Sequence, residues 1–168
     1  MAFRFSGTTF ISFATYDDLI QRDQRLFEAN ENLTEDRIDD FLKLAAARVL
    51  TQIRNTTWWR DYAFNQDPDL HRDQRLLPSI NPKYIKSRES EFKDLNIYFA
   101  FHEYILPYVA DFGNPESAEI QKINHYKDSY NKLFTEVIES GDWYDFDQDG
   151  TIELKEKSPN KQLLVRVR

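Results

Sequence analysis

Twelve consecutive residues near the C-terminal end have the types and spacing of a calcium loop. Asp145, Asp147 and Asp149 stand at positions one, three and five, and Gly150 at six, where the chain must turn sharply. Thr151 offers its carbonyl at seven, Ile152 is the apolar eighth residue, Glu153 is the ninth and Glu156 the twelfth, placed for bidentate ligation. Calcium takes six to eight hard oxygens, and carboxylates at alternate positions of a short loop supply them. The same residues read equally well without metal. Asp149-Gly150 is a favoured turn dipeptide, with Tyr144 and Phe146 before it and Ile152 and Leu154 after it. That predicts a hairpin whose Asp side chains accept backbone amides.

The surroundings limit what a metal would do. An EF-hand sets its loop between two helices, but Gly141 precedes this loop and Pro159 follows it closely, so the exit helix is at most one turn. No second loop is present to pair with it. Calcium here would stiffen a turn rather than drive a switch.

Other chemistry is sparse. His71, His102 and His125 form no H-E-x-x-H or H-x-x-x-H pair, and His102 and Glu103, as helical neighbours, should diverge. There is no Cys, no G-x-S-x-G, no P-loop and no G-x-G-x-x-G. Four Gly in the chain are too few for a phosphate cradle with its supporting turns. The sequence therefore predicts a protein that is not an enzyme and has no cofactor signature beyond the calcium loop. Trp58-Trp59, next to Tyr62, read as core or interface anchors rather than a ligand platform.

Composition narrows the class. With 168 residues the chain has room for one domain with arms and a real core. An aromatic share of 15% argues against disorder, and a net charge of −7 against nonspecific nucleic-acid binding. No apolar run approaches membrane-spanning length, and the first residues lack a signal-peptide core. A soluble cytoplasmic protein, or one assembled in the cytoplasm, is expected.

The periodicities predict a mainly α fold: a small bundle of about four helices with extended N- and C-terminal arms and a hairpin-like acidic turn. Residues 1–14 are an arm, where Phe3, Phe5 and Phe10 alternate with polar residues as in an extended segment or a strand pair. The helical body is 15–141. Thr15 and Asp18 predict a capping box for a helix to about Asn30. Ile38, Phe41, Leu42, Ala45, Val49 and Ile53 form an apolar stripe on a helix of about 34–54. A short capped helix holding Trp58 and Trp59 follows, then a loop over 65–82. A nearly all-apolar helix runs from about Pro82 or Ser90 to Ala110 with a kink at Pro107, and a last one spans about 116–139, closed by Gly141. The acidic turn and an extended tail occupy 142–168. In the tail Leu163, Val165 and Val167 alternate with Leu164, Arg166 and Arg168. Both arms suit strand addition to a neighbouring chain; the alternative is that they pair within one subunit.

Two stretches resemble a known family. Ser140-Gly141-Asp142-Trp143-Tyr144-Asp145-Phe146-Asp147, then Gly150-Thr151-Ile152, Glu156-Lys157 and the basic end Leu164-Val165-Arg166-Val167-Arg168 resemble the C-terminal part of head–tail connector (adaptor, neck) proteins of tailed bacteriophages. Tyr16-Asp17-Asp18-Leu19, Leu33-Thr34-Glu35-Asp36-Arg37-Ile38 and Trp58-Trp59 are similar to the family's beginning. The resemblance covers about half the chain and leaves 65–115 unmatched. It implies a structural virion protein of the neck, assembled in the host cytoplasm. The subunit would form a homo-oligomeric ring, commonly of twelve, between the portal protein and a neck or tail-completion protein. DNA would pass through the channel without specific binding, which an acidic wall favours. No membrane is involved. Partner contacts are expected from Phe3, Phe5, Phe10, Trp58 and Trp59, and from Leu163, Leu164, Val165, Arg166, Val167 and Arg168, with 157–168 as the portal-docking element.

Overall fold

In the computed structural model the elements that position the acidic turn are helices and short irregular links, and the fold is mainly α as the periodicities require. Residues 3–67, 69, 73–113 and 117–152 are described. In chain order they form β1 (Arg4–Ser6), β2 (Thr9–Ser12), α1 (Tyr16–Arg22), α2 (Gln24–Ala29), α3 (Glu35–Arg54), α4 (Thr57–Gln66), α5 (Glu89–Ala100), a π-turn (Phe101–Ile105), α6 (Leu106–Val109) and α7 (Ala118–Ser140). Two compact units group them: 1–49 with 89–136, and 50–88 with 137–168. No helix among the described residues is long and apolar enough to cross a membrane.

The first unit begins with a β-hairpin, the strand-pair form of the arm. Phe5 pairs with Phe10 and Ser6 with Thr9, with a bulge next to Arg4. Gly7 takes φ +60° at the first central position of the two-residue loop, the left-handed region that primed hairpin turns need. The Phe face turns inward. Phe3 is buried edge-on to Phe13, with ring centroids 4.8 Å apart, and it also meets Phe92 of α5. The Arg4 guanidinium grips Asp39 of α3 through two hydrogen bonds of 2.7 and 2.8 Å. That pairing holds the Asp39 carboxyl below its ordinary range.

The capping box forms as predicted: Asp18 N–H donates to Thr15 Oγ1, and Thr15 N–H to Asp18 Oδ2 at 2.8 Å. The single helix expected to reach Asn30 is instead two. Asp23 closes α1, and its side chain accepts the Leu26 amide that opens α2. A short acceptor competes well for backbone donors at helix ends, and here it also pairs with Lys122. On α3 the predicted stripe is wholly buried at Ile38, Leu42, Ala45, Val49 and Ile53, whereas Phe41 is only half-buried and stacks on Tyr104.

Asn96 of α5 is the buried polar hub of this unit. Its Oδ1 accepts the Phe13 and Ala14 amides at 3.0 and 3.2 Å, and its Nδ2 donates to the Leu42 carbonyl at 3.1 Å. The kink expected at Pro107 is a π-turn over 101–105. Pro107 has no N–H to donate to the Glu103 carbonyl four residues back and its ring clashes with that carbonyl, and the widened turn relieves the clash. His102 Nδ1 lies 3.7 Å from a carboxylate oxygen of Glu103, nearer than the divergence expected of helical neighbours. His102 Nε2 is buried without a hydrogen-bond partner among the described residues, and burial lowers the imidazole pKa.

The second unit is built on aromatic rings. Thr56 caps α4, its hydroxyl accepting the Trp59 amide. Arg54 fixes the following loop by donating to the Leu77 and Arg75 carbonyls. Gly141, with φ +58°, ends α7 in the left-handed position predicted for it.

Candidate functional site

The acidic turn hangs from a short extended segment, 142–146, locked on every side within the second unit. Trp143 is wholly buried; its Nε1–H donates to the Val137 carbonyl at 2.9 Å and its ring lies 4.7 Å from that of Trp58. Tyr144 forms an isolated antiparallel bridge with Ile85. Asp145 N–H donates to the Tyr84 carbonyl at 2.8 Å, and Lys86 N–H to that of Trp143 at 3.0 Å. Burial pushes the Tyr144 phenol up to about 12. Arg88 clamps Asp142 through Nε and Nη2, holding that carboxyl below its ordinary range. Ser87 Oγ donates to the Asp142 carbonyl at 2.6 Å. Arg88 takes φ +57°, unusual for a residue with a Cβ, at the point where the chain enters α5.

The Asp145 carboxylate is entirely buried and organises the turn. Oδ1 accepts the Gln148 amide at 2.7 Å and Oδ2 the Gly150 amide at 2.9 Å. A carboxylate out of water is tolerated when donors point at it, and these amides do so. Gly150 has φ +97° with open space where a Cβ would stand, so the backbone angle and not crowding selects glycine. Asp149 Oδ1 accepts both the amide and the hydroxyl of Thr151 at 2.8 Å. No strand forms among residues 145–152, so within the described residues the turn is a series of Asx-type bends.

Of the predicted ligands, Asp145, Asp147 and Asp149 come together, each offering an oxygen within 4.8 Å of the others. Their chemistry fits a hard cation such as calcium, which would neutralise three clustered carboxylates and stiffen the turn. Thr151 sits beside them; Glu153 and Glu156 lie outside the described residues. Comparison with protein-family models, curated proteins and solved structures finds no match to this chain.

The predicted partner residues divide. Trp58 and Trp59 are core residues here, a correction to the expectation that they face a partner. They pack with Trp143, Tyr144 and Phe146 because five large rings bury far more apolar area together than on a surface. Phe3 is likewise turned inward, while Phe5 and Phe10 are half-buried and 5.6 Å apart. Leu163, Leu164, Val165, Arg166, Val167 and Arg168 lie outside the described residues. Sequence reasoning missed Arg88–Asp142 and Asn96, whose partners are far away in the chain and leave no local pattern.

A metal and a metal-free turn give different melts. If calcium sits at the three carboxylates, saturating it raises Tm, with a stabilisation of about 2.7 kcal/mol at a hundredfold excess over Kd. Asp147→Ala with Asp149→Ala then lowers Tm more in calcium than in chelator. Equal losses in both media assign these side chains to backbone capping alone.

Proposed function

We propose that this chain is a non-enzymatic subunit of a head–tail connector ring in the neck of a tailed bacteriophage. The ring would sit between the portal and a neck or tail-completion protein, with DNA passing through it. The observation that carries the reading is the placement of 140–152, the stretch of strongest resemblance. It is the fixed root of the second unit, with Trp143 and Asp145 wholly buried and the backbone tied to 84–86. A rigid root is what a docking tail at 157–168 requires, since ordering entropy is then spent on the tail alone. The mainly helical body and the net charge of −7 are compatible with a conduit along which DNA must slide.

Deleting 158–168 should leave the helical signal and Tm unchanged and abolish attachment to portal rings. Intact tailed particles assembled from the truncated chain would overturn the reading. The three clustered carboxylates favour a second one, a single-site calcium module that recognises a partner. A monomer with a large calcium-induced shift and no affinity for a portal would support it.

A further inference from the structure

The π-turn over 101–105 encloses a base. His102 leaves only 10% of its side chain exposed, and its ring lies 5.0 Å from that of Phe99 on α5 and 5.7 Å from that of Tyr130 on α7. Phe99 and Tyr130 are themselves buried, with ring centroids 5.2 Å apart. Nε2 is shut into this aromatic layer without a hydrogen-bond partner among the described residues. The preceding residue, Phe101, stacks on Tyr126 at 4.6 Å. Successive turns of α7 therefore rest on the π-turn, Tyr126 on Phe101 and Tyr130 on His102 and Phe99.

A neutral imidazole fits here with its proton on Nδ1 and a bare Nε2. A charged imidazole carries an N–H on both nitrogens, and the one on Nε2 would meet neither acceptor nor water. Burial is the main cause that lowers the imidazole pKa; Glu103 opposes it, Lys127 on α7 adds to it, and the residue's own carbonyl opposes it. Glu103 stands on the Nδ1 side and keeps 55% of its side chain exposed, so its attraction is screened and does nothing for Nε2. Tyr130, the titratable group touching the ring, stays a neutral phenol because burial raises its pKa.

We propose that His102 is a proton-operated latch: on taking up one proton the ring swings from between Phe99 and Tyr130 into water and releases α7 from the π-turn around Tyr130. A π-turn already stands off the regular helical ladder, and Pro107 offers no amide to restore it, so this segment shifts with little further loss of hydrogen bonding. The closed ring binds a proton less well than the open one. Closure is therefore fully favoured above the open-state value of about 6.5 and weakens as pH falls through it. Each opening takes up one proton, so the open fraction rises up to about tenfold per pH unit, until the closed ring itself is charged. The Asp18 and Asp39 carboxyls lie below their ordinary range and stay charged throughout this window. The latch is internal to the first unit and stands apart from the connector reading.

The experiment is amide hydrogen exchange of the full chain between about pH 7.5 and 5, expressed as protection factors, with the histidine ring 15N shifts recorded alongside. Wild type should lose protection over the π-turn, α6 and the α7 residues around Tyr130, about tenfold per pH unit below the midpoint, while the β1–β2 hairpin keeps its protection. The His102 ring should be neutral and protonated on Nδ1 at the upper end of the range. His102→Phe keeps an aromatic ring that cannot charge and should flatten the profile; His102→Gln should do the same, and either variant that folds is sufficient. His71→Gln and His125→Gln should keep the wild-type profile. A flat wild-type profile, a His102 ring already charged at neutral pH, an unchanged slope in the His102 variants, or a slope that follows His71 or His125 would each overturn the latch. Protection lost equally across the whole first unit overturns it too, since His102 would then be a source of general acid instability.

Discussion

Trp143→Ala should unfold the second unit before the first. The indole is wholly buried against Trp58, and its Nε1–H satisfies the Val137 carbonyl at the end of α7. Removing a buried Trp leaves a large cavity and costs about 3–5 kcal/mol. The stranded carbonyl adds to this, since a buried acceptor without a donor is itself unfavourable. For a chain of this size the loss corresponds to a Tm decrease of roughly 10 °C. All three Trp, at 58, 59 and 143, belong to the second unit. Tryptophan fluorescence therefore reports that unit alone, whereas helical circular dichroism is dominated by α3, α5 and α7. In Trp143→Ala the fluorescence transition, read from Trp58 and Trp59, should precede the helical one. Trp143→Phe, which keeps a ring but not the donor, should fall between wild type and Ala. Coincident transitions in both variants would mean that the indole supports the whole molecule equally.

The consequence reaches the acidic turn. The connector reading proposed above leans in part on residues 140–152, and within that stretch Trp143, Tyr144 and Asp145 are buried in the second unit's core. Their spacing in the sequence looks like a calcium loop because alternating Asp residues serve two ends: they collect backbone amides at a tight turn, and they leave oxygens near one another. The buried Asp145 serves the first end, through Gln148 and Gly150. The exposed Asp147 and Asp149 remain close enough to serve the second.

What the sequence made legible was whatever is local. The stripe on α3, the Thr15–Asp18 capping box, the Thr56 cap and the Gly141 terminus each depend on residues within a few positions, so spacing alone predicts them. Pro107 announced a disturbance but not its form, because a kink and a π-turn both relieve the same missing donor. The split at Asp23 was hidden since Asp is tolerated within a helix unless a distant cation such as Lys122 favours the break. The partner-facing reading of Trp58-Trp59 failed for the complementary reason. Their true neighbours, Trp143, Tyr144 and Phe146, lie more than eighty residues downstream, and no periodicity links the two segments.

Asn96→Leu should be the most damaging change to the first unit for its size. The side chain is wholly buried, and its partners are 83, 82 and 54 residues away in the chain. Leucine fills nearly the same volume but strands two buried amides and one carbonyl. At about 1–3 kcal/mol for each unsatisfied group, even with partial relaxation the loss is about 3–5 kcal/mol. Asn96→Asp retains acceptors for Phe13 and Ala14 but loses the donor to Leu42 and buries a charge, so it too should destabilise. Hydrogen exchange separates specific loss from general loosening: Phe13 and Ala14 amides should lose protection first, ahead of the α5 amides. Uniform loss of protection would make Asn96 a generic core residue rather than the hairpin's anchor. The anchor decides which apolar rings the N-terminal segment exposes. Held by Asn96 and by the Arg4–Asp39 pair, the hairpin keeps Phe3 and Phe13 inside and presents only Phe5 and Phe10. Released, it would expose the entire Phe face, and the variant should then self-associate nonspecifically through the N-terminal residues, in a manner that salt does not weaken.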